Sequence, residues 1–388
     1  MQMYAGGYAR LAYDGSEELI PFDRTVPYND LPLLPPAVDL ETAPVLKQAI
    51  ASARALEKLR GVAARIPNQR VVINGLVLQE ARLSSEIENI VTTNDQLYRA
   101  AAGGDLFDDA STKEVFRYRE ALWYGFDRMK TRPFSTNLYV EIVGIIRQLD
   151  HGIRPTQGTD LKSHQGEVIY TPPQGEQVIR EKLSNLDEFL HAPSELDPLV
   201  KLAVLHYQFE AIHPFSDGNG RTGRILNVLY LVQEGLLDLP VLYLSQFILK
   251  HKAKYYAGLR GVTEEQRWEE WILFILKAVE ETAKTTCTLV IRILGLMAEV
   301  SDVVRARDRA IYSKELIEVI FSNPYCRIRF IEDSLSVQSQ TASKYLRRLA
   351  ELGILEPAKV GREIYYFNSP LMEALTGVTS AKPKPFTQ

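Results

Sequence analysis

The sequence predicts a mainly α protein whose helical core carries one small β-hairpin and whose C-terminal end is a winged helix. Three observations support this. Leu, Ile, Val, Trp and Tyr recur at three- and four-residue spacing from about Thr112 to Thr282, the period of helices with an apolar face. That pattern breaks between Thr156 and Gly175, at the run SHQGEVIYTPPQG. Near Tyr312 the helical segments shorten and two strand-like runs follow. At 388 residues the chain has room for about two or three domains, so a core and a separate C-terminal module both fit.

Residues 1–40 mix Gly and Tyr with the Pro-rich stretch LPLLPPAVDL, which reads as an irregular arm lying against the core. From Glu41 to about Ala64, Leu46, Ala49, Ile50, Ala53, Leu56 and Leu59 keep helical spacing, and a second helical pattern runs from about Asn68 to Ile90. These segments, up to residue 110, precede a core expected over 111–283. Inside it, Val168-Ile169-Tyr170 reads as a short strand closed off by Pro172 and Pro173, which have no N–H to give a ladder. A connecting helix is expected over 284–311. Then LIEVIFSN and RFIEDSL read as short helices, Ser336 as a turn, and SQTASKYLRRLAELG as a third helix ended by Gly353. ILEPAKV and EIYYF, joined by Gly361-Arg362, read as a hairpin. Three helices and a hairpin over 312–370 is winged-helix order. Residues 371–388 read as a loose tail.

Composition excludes some functions. A net charge of −4 at pH 7 argues against bulk adhesion to nucleic acid or anionic membrane, so any such contact rests on a local patch. Cys287 and Cys326 lie far apart without the spacing of a zinc site or a disulfide framework, which fits a reducing, cytoplasmic setting. The chain opens without a basic start and apolar stretch, and no run of about 18 apolar residues occurs. Neither export nor membrane spanning is expected.

The chemistry concentrates in His213-Pro-Phe-Ser-Asp217-Gly-Asn219-Gly-Arg221-Thr-Gly-Arg224, between the apolar helices LVKLAVLHYQFEAI and RILNVLYLV. Gly218 and Gly220 flank Asn219 and let backbone approach a ligand closely, and the amides that open the next helix favour phosphate. Arg221 and Arg224, three residues apart, can reach toward one polyphosphate. Asp217 is the obvious ligand for Mg²⁺, which takes one or two carboxylates plus phosphate oxygens. His213 can take a proton from a hydroxyl near neutral pH, as attack on phosphorus requires. The reaction class is nucleotidyl or phosphoryl transfer. Neither GxxxxGK[ST] nor a Rossmann GxGxxG explains the segment. A lone His at a helix end and an Asp-Gly-Asn-Gly turn are each ordinary structure taken singly; together with two arginines they point to a site.

This segment resembles the signature HxFx[DE]GNGRxxR of Fic-domain proteins, with no departure from it. The resemblance implies a Fic helical bundle with a hairpin flap and transfer of AMP from ATP to a Ser, Thr or Tyr hydroxyl of a target protein, including the chain itself. It implies His213 as general base, Asp217 holding Mg²⁺, and Asn219 with Gly218 and Gly220 holding phosphate. Phe215 would anchor the loop. Ser84-Ser-Glu-Ile-Glu88-Asn89 resembles the family's inhibitory motif [ST]xxxE[GN]. In that reading Glu88, near a helix end with Asn89 as its cap, pairs with Arg224 where the ATP γ-phosphate would sit. Glu88 as a plain surface charge is the alternative. GEVIYTPP has the position of the Fic flap, whose edge docks target main chain, with Val168, Ile169 and Tyr170 in that role; an ordinary surface hairpin has the same residue content. Tyr255, Tyr256 and Leu259 match adenine-lining positions by place, although aromatic residues at helical spacing also build cores. Thr263 stands where some relatives have Asn.

Lys344, Arg347, Arg348, Lys359 and Arg362 give the C-terminal module a basic face, offset by Glu332, Asp333, Glu351, Glu356 and Glu363. A DNA partner, a protein partner and a homodimer all stay open. Two rival functions remain at this level: a transcription regulator with a Fic sensor core, and a Fic enzyme that moves another phosphate-containing group or removes AMP.

Overall fold

The computed structural model describes residues 8–11, 17–20, 22–103, 109–148, 152–155, 159–162, 165–360 and 363–377. In chain order its elements are β1 (Tyr8–Leu11), β2 (Glu17–Ile20), α1 (Ala43–Ala63), α2 (Gln69–Ile87), α3 (Asn94–Ala101), α4 (Ala110–Arg128), α5 (Thr136–Arg147), β3 (Leu161–Lys162), β4 (Val168–Tyr170), α6 (Glu176–His191), α7 (Pro198–Ile212) and α8 (Asn219–Gln233). There follow α9 (Leu244–Lys250), α10 (Lys252–Glu265), α11 (Trp268–Arg307), α12 (Lys314–Ile320), β5 (Tyr325–Cys326), α13 (Ile328–Leu335), α14 (Ser339–Glu351), β6 (Glu356–Val360), β7 (Glu363–Phe367) and α15 (Ser369–Thr376). The mainly helical class is as expected. None of the described helices is long and apolar enough to cross a membrane.

The chain divides into two compact units. The first comprises Met1–Leu56, Glu120–Pro240 and Leu244–Thr282; the second comprises Glu57–Arg119, Val241–Tyr243 and Ala283–Gln388. The first unit is built on α7, which is buried almost all round, as a central helix must be. Two of its polar side chains are matched to carbonyls: Lys201 Nζ donates to Leu190 O at 2.9 Å and Gln208 Nε2 to Pro32 O at 2.8 Å. Trp271, fully buried, donates its indole N–H to Ala203 O at 2.8 Å. α8 packs along α7 with Ile225, Val228 and Leu229 buried.

The hairpin β3–β4 interrupts this helical unit as the sequence predicts, antiparallel and with a bulge between Leu161 and Lys162. The arm also lies on this unit: Tyr28 N donates to Thr171 O at 3.0 Å, and Arg24 forms a two-pronged ion pair with Glu264. The arm is not wholly irregular, because β1 and β2 pair antiparallel within it. In α1 the buried face runs through Val45, Ala49, Ser52, Leu56 and Leu59, while Leu46 and Ile50 stand exposed. Ser52 holds a core position that spacing alone gives to apolar residues because its hydroxyl donates to Leu276 O at 2.7 Å.

In the second unit, α12, α13 and α14 precede the β6–β7 hairpin, the order expected for 312–370. β5 adds a third strand, giving a sheet of order β5-β7-β6. Ser336 (φ 53°) and Gly353 (φ 73°) turn the chain where expected; Gly361-Arg362 lies outside the described residues. The same unit holds α2 and α3 against the C-terminal elements. Asn323 Nδ2 donates to Tyr98 O at 3.2 Å, the Tyr325 hydroxyl bonds Asp95, and a Cβ at Gly75 would lie 3.5 Å from Leu375 Cδ1.

Two boundaries differ from expectation. α11 is one unbroken helix through the threonine-rich stretch where a separate connecting helix was expected to begin, because threonine tolerates helix when its hydroxyl has a partner. Thr288 Oγ1 bonds Lys284 O, one turn back, at 3.0 Å. The tail begins later than 371, since α15 continues the fold. Asn368 Oδ1 caps it by accepting from Leu371 N at 3.2 Å, Pro370 opens it, and Leu371 and Leu375 are buried.

Candidate active site

α7 must stop at His213 because Pro214 disfavours helical backbone in the residue before it. His213 closes the helix in the left-handed region (φ 49°, ψ 58°), with its N–H donating to Phe209 O at 3.1 Å. Histidine tolerates that region better than most side chains, though the conformation still needs outside support. The chain then dives inward: Phe215 is 2% exposed, and its ring lies 6.3 Å from that of Phe209.

Asn219 clasps the loop shut. Its Oδ1 accepts from Phe215 N at 2.9 Å and its Nδ2 donates to Phe215 O at 2.7 Å. One Nδ2 hydrogen is left over for an anion. Asn219→Ala would strand a buried peptide N–H and C=O at Phe215 and cost about 2–3 kcal/mol of stability; urea denaturation checks this, and an unchanged midpoint would refute the clasp. Gly218 adopts φ 86° at the start of α8, a conformation strained for other residues. A Cβ there would also press to 3.1 Å from Val143 Cγ2. The amides of Asn219, Gly220 and Arg221 open α8, where a helix has no internal acceptors for them.

Asp217 presents a half-exposed carboxylate at this helix start. Its Oδ2 lies 2.7 Å from Arg147 Nη1, and its Oδ1 lies 3.2 Å from Arg221 Nη2 and 2.5 Å from Gly218 N. Among the described residues no group of three His, Cys, Asp or Glu side chains could cage a metal. This carboxylate, paired with Arg147 and Arg221 beside a helix start with free amides, is the one side chain of the loop that could hold Mg²⁺, which takes one or two carboxylates and fills the rest of its shell with phosphate oxygens and water.

Arg221 and Arg224 are each only 1% exposed. Neither lies on an open helix surface. Arg224 is close enough to the buried His206 to act on its charge: His206 is pushed down to about 3, first by burial and then by that guanidinium. His206 Nε2 meets Tyr255 Oη at 2.9 Å, and its ring stacks at 16° to Trp271. Between pH 6.5 and 3 the unfolded chain therefore binds a proton that the native chain refuses, so this contribution to stability, full above pH 6.5, is lost as pH falls. From pH 7 to 5 the loss is about 2 kcal/mol. Denaturation curves of wild type and His206→Gln at both pH values check it; equal pH dependence would refute it.

The remaining expected site residues divide by exposure. Tyr255 is core, packed against His206, Trp271 and Phe274, whereas Tyr256 is 37% exposed and Leu259 half-buried. Thr263 is buried, bonded to Tyr207 Oη at 2.9 Å. In the hairpin Val168 and Ile169 are half-buried, but Tyr170 turns inward and donates to Ala211 O at 2.7 Å. In the second unit, Ser84 is fully buried, Glu88 caps α2 and Asn89 takes the left-handed position after it (φ 64°); the cap thus falls one residue earlier than expected. Sequence reasoning missed Arg147, His206 and Arg154. The last is 2% exposed, with Nε donating to His213 O at 2.8 Å. Each is an isolated polar residue without a motif, and no local pattern marks it.

Three family models match the chain in order: Fic/DOC family N-terminal over residues 46–127, Fic/DOC family over 133–231, and protein adenylyltransferase SoFic-like, C-terminal domain, over 296–371. The chain is 30% identical over 123 residues to a protein adenylyltransferase of Caenorhabditis elegans, covering 31% of this chain and 23% of that one. It is 28% identical over 198 residues to a probable protein adenylyltransferase of Aquifex aeolicus, covering 49% and 56%. The chain thus spans from about a quarter to just over half the length of these relatives. A Fic family protein from Desulfovibrio desulfuricans shares the fold, with TM-score 0.58 at 19% identity, over 86% of this chain and 98% of that one.

Proposed function

From the premise that the chain belongs to the Fic/DOC family, we propose that it is a protein adenylyltransferase, moving AMP from ATP to a Ser, Thr or Tyr hydroxyl of another protein or of itself. The observation that carries this is the closed loop from His213 to Arg224, which puts an imidazole, a carboxylate and a phosphate-binding helix start within twelve residues. His213 takes the proton of the acceptor hydroxyl, whose oxygen bonds the α-phosphorus of ATP while the bond to the bridging oxygen breaks and pyrophosphate leaves. The opening amides of α8, with Asn219, Arg221 and Arg224, hold the phosphates in line. Asp217 would hold Mg²⁺, which supplies charge neutralisation on the leaving phosphates. Adenine rests against Tyr256 and Leu259, and the β3–β4 edge at Val168 and Ile169 takes target main chain as an added strand. Glu88, followed by Asn89, is the inhibitory carboxylate.

Lys344 and Arg347, exposed on α14, give the C-terminal module cations for a DNA backbone, whereas Arg348 is already paired with Asp308 and Glu351. Intact-mass spectrometry after incubation with ATP and Mg²⁺, on the chain and on target proteins, tests the function. A gain of one AMP supports the proposal. A gain of one phosphate would replace it with phosphotransfer, and no gain on any protein with either the wild type or Glu88→Gly would refute it.

A further inference from the structure

Arg154 is a buried cation with no carboxylate partner among the described residues. Main-chain carbonyls hold two of its three nitrogens instead, and the buried Nη1 has no hydrogen-bond partner among the described residues. Nε donates to His213 O at 2.8 Å, and Nη2 to Pro173 O at 2.5 Å and more distantly to Ile212 O at 3.4 Å. Its own N–H donates to Pro214 O at 3.0 Å. Burial pulls its pKa below the ordinary guanidinium range. Burying a charge in this way is costly, and an apolar side chain would fill the space without that cost. Only the guanidinium fork spans carbonyls of two segments in fixed directions.

Those segments are the two halves of the proposed reaction geometry. Pro173 follows β4 and sets the base of the hairpin, while Ile212 and His213 end α7 with His213 in its left-handed conformation. Tyr170 makes a second tie from the hairpin to Ala211 O. The hairpin and the histidine are therefore joined twice, at carbonyls two residues apart.

We propose that Arg154 is a positioning residue that fixes the spacing between the hairpin edge and His213, so that a strand docked on the hairpin delivers its hydroxyl to the imidazole. This rests on the adenylyltransferase reading. It predicts a particular kinetic split in the full chain. Arg154→Ala should lower kcat about a hundredfold, the usual result of a displacement near 1 Å at reacting groups. KM for ATP should stay within about twofold, because the α8 amides that would hold phosphate make no contact with Arg154. Arg154→Lys keeps the charge but not the fork and should still lose about tenfold in kcat. Methylguanidinium added to the Ala variant should restore part of the rate.

Hydrogen–deuterium exchange supplies a readout independent of activity. In the Ala variant, segments 168–175 and 209–217 should lose protection together while residues 222–233 keep theirs. Wild-type exchange in either segment, a KM for ATP that rises in step with the loss of kcat, or failure of methylguanidinium to restore any rate would overturn the assignment. If Arg154→Ala does not fold, Arg154→Lys decides: wild-type kcat and exchange in that variant would overturn it. A chain that transfers no AMP either as wild type or as Glu88→Gly would sink the adenylyltransferase reading, while the exchange comparison would still decide whether Arg154 couples the two segments.

Discussion

Replacing His213 with Ala should abolish AMP transfer, a loss of about a thousandfold or more. General-base assistance contributes on the order of 10²–10⁴, and an un-ionised serine or threonine hydroxyl is a poor nucleophile toward phosphorus without it. ATP binding should survive, because the helix start and the arginines are untouched. Alanine also tolerates the left-handed backbone at this position (φ 49°) less well than histidine, so a fall of a degree or two in Tm accompanies the kinetic loss without explaining it. Single-turnover transfer measured beside ATP affinity separates the two effects. Transfer within tenfold of wild type would remove His213 from the chemistry.

Glu88→Gly should act in the opposite direction and raise transfer about tenfold to a hundredfold, as loss of an inhibitory contact worth 1–3 kcal/mol would. The substitution is mild for the fold. Glu88 sits at the cap of α2 rather than inside it, and its N–H bonds Ser85 O at 3.0 Å whatever its side chain. Asn89, already left-handed, still ends the helix. Initial rates at saturating ATP on equal amounts of the two proteins read the effect, and equal rates would leave Glu88 a surface charge. Combining Glu88→Gly with His213→Ala should return the rate to zero.

How far the sequence reveals this protein depends on how locally each feature is encoded. The loop from His213 to Arg224 is legible because its turn, its helix start and its charged residues follow one another in the chain. α2 is legible from its period, and its end from Asn89. α3 was also written locally, in the capping box of Thr93 and Gln96, but it is short and its signal is two side chains. The C-terminal order was readable from turns at Ser336 and Gly353; β5 was not, because a two-residue strand exists only by pairing with β7. Arg147 and Arg154 illustrate the harder limit. Arg147 looks like an ordinary cation in the last turn of α5, and Arg154 lies 59 residues from the carbonyl it holds. Their roles come from tertiary packing, which no local pattern carries.

The junction of α2 and α3 with the C-terminal elements bears on ancestry and on protein engineering. Tyr98, Asp95 and Gly75 come from one stretch of chain, and Asn323, Tyr325 and Leu375 from another more than 200 residues later. The segment carrying Ser84 to Asn89 therefore cannot be exchanged between relatives as a cassette by itself. A graft that transplants residues 57–119 without 283–377 would separate Tyr98 and Asp95 from their partners, leave apolar surface open and invite aggregation. Substitutions on the two sides should be inherited in step, so this discontinuous pair of segments, rather than the C-terminal module alone, is the natural unit of recombination.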